Sequence, residues 1–143
     1  MAVITIDGIA KEYPDGTTYE SIAGEYQKEY DNMIALVLEN GKIRELFKTV
    51  HKDCELSFLT LKDNIGHKAY VRTAIMILLK AIHDVYGKGN VPKVKVEFAI
   101  GQGYYCDVRT EEKLTEQKVK QIARRMRELV NQDLPVTKKS YPI

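Results

Sequence analysis

The sequence predicts an α+β protein made of two modules. In the first 61 residues, short apolar runs meet at an Asp-Gly and an Asn-Gly dipeptide, which is typical of β-hairpins. Two later segments repeat apolar residues at helical spacing, with an alternating strand pattern between them. We therefore expect a small sheet on one helix, followed by a long helix, a β-hairpin and a second helix.

The first hairpin is predicted from Val3–Ile6 and Ile9–Tyr13, because the Asp-Gly between them favours a tight turn. The helix that follows has Thr17 or Thr18 as its N-cap. Its apolar face consists of Ile22, Ala23 and Tyr26.

Three further strands are predicted at Ile34–Leu38, Ile43–Phe47 and Cys54–Leu61, with an Asn-Gly turn between the first two. A small mixed sheet wrapped on one helix is the β-grasp arrangement. The first domain is therefore predicted at residues 1–62.

The second module is predicted at residues 65–143, after a boundary near Asp63–Gly66. Its long helix is expected at Lys68–Tyr86, with apolar residues recurring at helical spacing. A half-buried strand with Val94, Val96 and Phe98 on one face turns at a Gly-Gln-Gly sequence into Tyr104–Val108.

A second helix is predicted from near Thr115, and Leu134-Pro135 ends it. Its apolar stripe consists of Val119, Ile122, Met126, Leu129 and Val130. Residues 136–143 are expected to start another extended run.

Composition gives no strong functional signal. The chain has 22 basic and 20 acidic residues, so any affinity for nucleic acid depends on local clustering of charge. The first residues are not expected to act as a signal peptide, and no apolar run is long enough to predict a membrane span. Two widely spaced cysteines, Cys54 and Cys106, favour free thiols in a reducing compartment, so a cytoplasmic location without membrane contact is expected.

No catalytic residue or metal ligand is predicted. The three histidines lie 16 residues apart, without an HExxH pattern or a neighbouring cysteine. The Gly101–Gly103 turn leads into a strand, and no Lys-Ser/Thr pair follows it as a phosphate-binding loop would require.

Two groups of side chains are candidates for ligand binding. The second helix carries clustered cations, among which Arg124 and Arg125 are expected to contact phosphate, although a solvated helix face also explains the cluster. Tyr104 and Tyr105 follow the glycine turn and are candidates for stacking on a base or sugar, with ordinary strand packing as the alternative.

The first 61 residues resemble a TGS domain, the β-grasp module of threonyl-tRNA synthetases, certain GTPases and alarmone enzymes. Four segments carry the likeness: Ile4–Gly8, Tyr13–Thr17, Asn40–Lys42 and Leu59–Leu61.

The rest resembles the opening of the second, editing-type domain of threonyl- and alanyl-tRNA synthetases. The residues that carry this likeness are Lys62-Asp63, Ile100–Val108, Arg124–Val130 and Leu134–Val136. The family has an HxxxH pair on its first long helix, and alignment places those positions at Arg72 and Met76. Neither side chain can replace an imidazole near neutral pH, so ester hydrolysis is not expected.

A TGS domain before a histidine-free editing-like domain is similar to the front of uridine kinase-like nucleoside kinases. That resemblance rests on Arg72-Thr73 and Gly103–Cys106. It implies a non-catalytic N-terminal binding or regulatory region. Its partners would be a nucleotide or RNA ligand and its own C-terminal kinase domain, and the missing kinase domain would use ATP and magnesium. Arg72 joins the binding candidates on this basis.

Two alternatives remain open. The chain is either a tRNA-binding or editing-type N-terminal fragment of a threonyl-tRNA synthetase, or a structural dimerisation element without a ligand.

Overall fold

The computed structural model describes residues 1–143 and contains three α-helices and seven strands. In chain order the elements are β1 (Ala2–Ile6), β2 (Ile9–Tyr13), α1 (Tyr19–Tyr26), β3 (Ile34–Glu39), β4 (Lys42–Glu45), β5 (Cys54–Thr60), α2 (Asn64–Tyr86), β6 (Lys93–Ile100), β7 (Gly103–Arg109) and α3 (Glu116–Asn131). The predicted α+β class is confirmed, with a β-grasp-like sheet and helix followed by a helix-and-hairpin module. Two compact units are present, Met1–Arg72 and Thr73–Ile143, and their boundary falls within α2.

The first unit contains a five-stranded sheet in the order β2-β1-β5-β3-β4. Two antiparallel hairpins, β1–β2 and β3–β4, form its outer parts. Both turns contain two residues with positive φ, Asp7-Gly8 and Asn40-Gly41, as the type I′ hairpin requires. The predicted hairpins are therefore confirmed.

Strand β5 joins the two hairpins. It pairs parallel to β1 through Ile4↔Cys54 and antiparallel to β3 through Val37↔Phe58. Helix α1 covers one face of the sheet and contributes Ile22, which is fully buried. The other large side chains that are fully buried are Ile4, Val37, Val50 and Leu56.

The start of α1 is held by its N-cap and by a later segment of the chain. Thr18 Oγ1 accepts a hydrogen bond from the Ser21 backbone N–H at 3.2 Å. The free backbone N–H groups of Tyr19 and Glu20 donate to the carbonyls of Lys48 and Leu46, at 2.9 and 2.8 Å. Strand β4 therefore ends at Glu45 instead of continuing to residue 47 as predicted, because the next carbonyls cap α1.

The long helix α2 begins at Asn64, four residues before its predicted start. The glycine at position 66 suggested a break, but Gly66 is packed directly against the Thr60 carbonyl, where a Cβ atom would collide with that oxygen. Asp63 supports the same corner, because its carboxylate accepts a hydrogen bond from the Thr60 N–H at 2.8 Å. Gly66 thus allows the chain to turn from β5 into α2 within a few residues.

The second unit has a small core of Ala81, Ile82, Ile122 and Leu129. Strands β6 and β7 form a separate two-stranded sheet. Helix α3 begins after Thr115, whose Oγ1 accepts a hydrogen bond from the Lys118 N–H, as predicted for its N-cap. Residues 136–143 form no strand, so the extended run predicted there was wrong: no neighbouring strand pairs with it.

Substitution of Gly66 by alanine is expected to lower the free energy of unfolding by about 1–3 kcal/mol, because the new methyl group overlaps the Thr60 backbone. The matched control is Gly24→Ala, in the exposed middle of α1 with open space around it. That change should raise stability by about 0.5–1 kcal/mol through helix propensity. Urea unfolding followed by circular dichroism measures both, and equal effects of the two variants would contradict the close contact.

Candidate nucleic-acid interface

The five predicted binding residues are divided between the two units. Arg72 is exposed on α2 in the first unit, whereas the other four belong to the second unit. Tyr104 and Tyr105 lie on β7, and Arg124 and Arg125 lie on α3. The two pairs have different surroundings.

Tyr104 and Tyr105 point to opposite faces of the hairpin, because successive side chains of a strand alternate. Tyr105 is 46% exposed, and its ring stacks on Phe98 with centroids 5.1 Å apart and an interplanar angle of 15°. Tyr104 pairs with Ala99 and has no ring partner. Only Tyr105 therefore belongs to an aromatic surface.

The position of Phe98 corrects the predicted burial of β6. Val94 and Val96 are partly buried, but Phe98 is 53% exposed and lies on the other face. A bulge between Val96 and Phe98 is the reason: Val96 pairs with Cys106, while Phe98 pairs with the very next residue, Tyr105. One extra residue in a strand inverts the alternation of side chains beyond it.

Arg125 is held by contacts within the second unit. Its Nε donates to Asp84 Oδ2 at 2.9 Å, and its Nη1 donates to Glu128 Oε2 at 3.2 Å. Its side chain is only 30% exposed. Arg125 thus connects α3 to α2, and a phosphate would have to displace two carboxylates to reach it.

Asp84 is the centre of this ion-pair group. Lys80 Nζ lies 2.7 Å from Asp84 Oδ1, and the imidazole Nδ1 of His83 lies 3.8 Å from the same oxygen. The hydrogen bond from Lys80, supported by the one from Arg125, lowers the pKa of Asp84 below its ordinary value despite partial burial. The carboxylate is therefore charged at neutral pH and fixes both helices.

Arg124 has the opposite character. It is exposed, and it shares one face of α3 with Lys120 and Arg127, since residues at i, i+4 and i+7 lie above one another on a helix. We call Lys120, Arg124 and Arg127 the basic stripe. Lys120 makes an exposed ion pair with Glu116 at 3.3 Å, which solvent and salt weaken.

The sequence shows clustered cations on α3, and the prediction selected the adjacent pair Arg124 and Arg125. The basic stripe has residues at i, i+4 and i+7, which places them on one face of the helix. That spacing was the signal that distinguishes these exposed cations from Arg125. The acidic partner of Arg125 lies 41 residues earlier in the chain, so no local pattern identifies it.

Arg72 and Met76, which the resemblance predicts at the family's two histidine positions, have no imidazole. Arg72 is exposed, and Met76 lines an apolar groove of about 570 Å³ with Ile77 and Val130. The three histidines lie elsewhere: His51 bonds Thr49, His67 stacks on Tyr70, and His83 adjoins Asp84. No group of three or more His, Cys, Asp or Glu side chains is arranged to hold a metal ion.

A polar cavity of about 420 Å³ is a further concave feature of the second unit. Lys118 extends along its wall, with its Nζ 4.8 Å above the Tyr86 ring. Arg109 adds a second cation, but Glu111 and Glu112 line the same cavity. The opposing charges give this cavity no clear preference for an anion or a cation.

No protein-family model matches the chain. Individual relatives do match, and they cover nearly all of it. An enzyme from Thermotoga petrophila is 34% identical over 134 residues, which is 93% of this chain and 20% of the relative. One from Acetivibrio thermocellus is 27% identical over 143 residues (99% and 22%), and one from Bacillus subtilis is 28% identical over 130 residues (91% and 20%).

All three are threonine–tRNA ligases. The chain spans about a fifth of the length of these relatives, and the matched stretch corresponds to their N-terminal regions. The resemblance to threonyl-tRNA synthetases is thereby supported, since similarity runs through both units.

The nucleoside kinase interpretation was wrong. It rested on a few positions, chiefly the missing histidines and the Gly103–Cys106 segment, whereas similarity to the ligases extends over 93% of the chain. The kinase domain expected as a partner has no support, and the ATP and magnesium expected with it stay an untested prediction.

No helix in this structure combines the length and the apolar composition that a membrane span requires.

Replacement of Asp84 by asparagine is expected to destabilise the second unit at neutral pH, because Lys80 and Arg125 lose their shared carboxylate. The folded-state pKa of Asp84 is lowered, so the ionised form favours folding. Its contribution is complete above the unfolded-state pKa of about 4 and disappears as pH falls through the lower folded-state value.

Hydrogen exchange of amides in α3, followed by NMR between pH 7 and pH 2.5, measures this effect. The difference between wild type and Asp84→Asn should be largest at pH 7 and shrink towards pH 2.5. Glu112→Gln, which changes an exposed loop carboxylate, should show no such difference. A gap between wild type and Asp84→Asn that is constant with pH would refute the ion-pair explanation.

Proposed function

We propose that this chain is a tRNA-binding N-terminal region of a threonine–tRNA ligase. The observation that carries the proposal is similarity to such ligases across both units, at 34% identity for one relative. The first unit, a β-grasp-like sheet on one helix, would be a TGS-type module. The second would be the opening part of the editing-type domain, and the whole enzyme would work in the cytoplasm.

The basic stripe supplies the chemistry for an RNA backbone. Arg124 and Arg127 are exposed and make no ion pair, so their guanidinium groups are free to form bidentate hydrogen bonds with phosphate. The stripe extends over two turns of α3, or about 10 Å. That length corresponds to two or three successive phosphates.

The proposed activity is binding without ester hydrolysis. Hydrolysis of a mischarged ester needs a group that exchanges a proton near neutral pH, and the two aligned positions hold Arg72 and Met76. Arginine stays protonated and methionine has no exchangeable proton. RNA binding needs only positive charge and hydrogen-bond donors, which α3 provides.

The double variant Arg124→Ala/Arg127→Ala is expected to weaken tRNA binding and to reduce its salt dependence. The plot of log K against log[salt] has a negative slope. Each lost phosphate contact should reduce the magnitude of that slope by about 0.9 for duplex or 0.7 for single-stranded segments. Fluorescence anisotropy with a labelled tRNA transcript, from 25 to 200 mM salt, gives both affinity and slope.

Two comparisons sharpen this experiment. Lys28→Ala/Lys42→Ala removes the same charge from exposed positions in the first unit and should leave the slope nearly unchanged. Identical slopes for wild type and the α3 variant would exclude the basic stripe. Absence of any tRNA binding by the wild-type chain at 25 mM salt would overturn the proposed function itself.

A further inference from the structure

We propose that the solvent face of the β6–β7 hairpin is a stacking platform for unpaired RNA bases. This inference rests on the proposed function, and it assigns a part of the RNA to a part of the chain. The platform consists of the Phe98 and Tyr105 rings with the cations beside them. The two rings are nearly parallel, at 15°, and about half of each is exposed.

The bulge in β6 creates this face. Pairing places Phe98 beside Tyr105, Lys95 beside Asp107, and Lys93 beside Arg109. Paired residues lie on the same side of a sheet, so the two rings share a surface with three cations. On the opposite face, Val94 packs against the core of the second unit. Without the bulge, Phe98 would point to that apolar side.

Charge on this surface favours an anionic partner. Lys93 and Lys95 are exposed and make no ion pair, and Arg109 Nε lies 3.0 Å from Asp107 Oδ2. Asp107 thus neutralises Arg109 and leaves two lysines without an ion pair on the face of the rings, Lys95 next to the aromatic pair and Lys93 one pair further along the strands. Glu97 in the bulge is also exposed, at a position the strand pairing leaves unmatched.

Flat exposed rings with nearby cations are suited to bind single-stranded nucleic acid, which has both free base faces and phosphates. Every base has a π-face that can stack on an aromatic ring, and the backbone phosphates then lie near the lysines. A duplex offers no free base face. Two rings accommodate about two nucleotides, and the stacked pair is already oriented before RNA binds.

The experiment uses the 143-residue chain and two labelled probes, an unstructured eight-nucleotide RNA and a twelve-base-pair RNA duplex. Phe98→Ala/Tyr105→Ala should weaken binding of the single strand at least about tenfold. Duplex binding and the salt slope should stay as in wild type, because no cation is removed.

The hairpin itself supplies the control. Tyr104 is next to Tyr105 in the sequence and is 48% exposed, but its side chain lies on the opposite face of the hairpin. Tyr104→Ala therefore removes an equally accessible ring and should leave the affinity for the single strand unchanged. Phe98→Tyr/Tyr105→Phe exchanges the rings and should restore affinity. If the alanine variant fails to fold by circular dichroism, Phe98→Leu/Tyr105→Leu keeps the apolar bulk without a π-face and should show the same loss.

The outcomes separate this inference from the proposed function. Binding of tRNA and duplex without the single strand overturns the platform and leaves the tRNA proposal standing. Single-strand affinity that is equal in wild type and the folded ring variants also overturns the platform. Ring-dependent binding of the single strand without tRNA binding supports the platform and overturns the tRNA proposal.

Discussion

Strand β5 occupies the middle of the first sheet although it is the last strand of that unit. The hairpins β1–β2 and β3–β4 are joined into one hydrogen-bonded sheet only through it. An isolated two-stranded hairpin is marginal in water, so neither can persist without the central strand. Leu56 and Phe58 of β5 enter the core beneath α1, and its backbone satisfies strands on both sides. The first unit therefore forms as a whole or not at all.

The second unit depends on charge more than the first. Its core has only four buried side chains, Ala81, Ile82, Ile122 and Leu129. The ion pair between Asp84 and Arg125 supplements this small core by fixing α2 against α3. The same arrangement decides which cations are free, because the face of α3 that meets Asp84 is turned away from Arg124. Arg125 thus holds α3 against α2, whereas Arg124 is left free for the proposed contact with RNA.

Local signals predicted most of the fold. The Asp7-Gly8 and Asn40-Gly41 turns and the cap at Thr115 depend on neighbouring residues alone, and all three were found where the sequence placed them. Features that need distant partners were missed. The end of β4 depends on α1, and the helix start at Asn64 depends on the contact between Gly66 and Thr60.

The candidate site was predictable to a lesser extent. The sequence singles out arginines on a helix and tyrosines after a glycine turn, but it does not show which side chains these residues contact. A one-residue bulge places Phe98 on the same face as Tyr105. Arg125 donates a hydrogen bond to an aspartate 41 residues away in the sequence. Neither follows from periodicity. The choice between kinase and ligase required comparison along the whole chain. The kinase interpretation rested on a few unusual positions, whereas the similarity to the ligases is spread over the whole sequence.

The two-stranded sheet has a further consequence for how copies of this protein behave in solution. Both of its strands are edges, each with unpaired backbone groups on one side, and such edges favour strand-to-strand association. The bulge interrupts the regular hydrogen-bonding edge of β6, and the charges of Lys93 and Lys95 repel an identical neighbour. Repulsion between lysines extends about 10 Å at 0.1 M salt but only about 3 Å at 1 M. The charge repulsion that opposes pairing at this edge is thus expected to weaken as ionic strength rises.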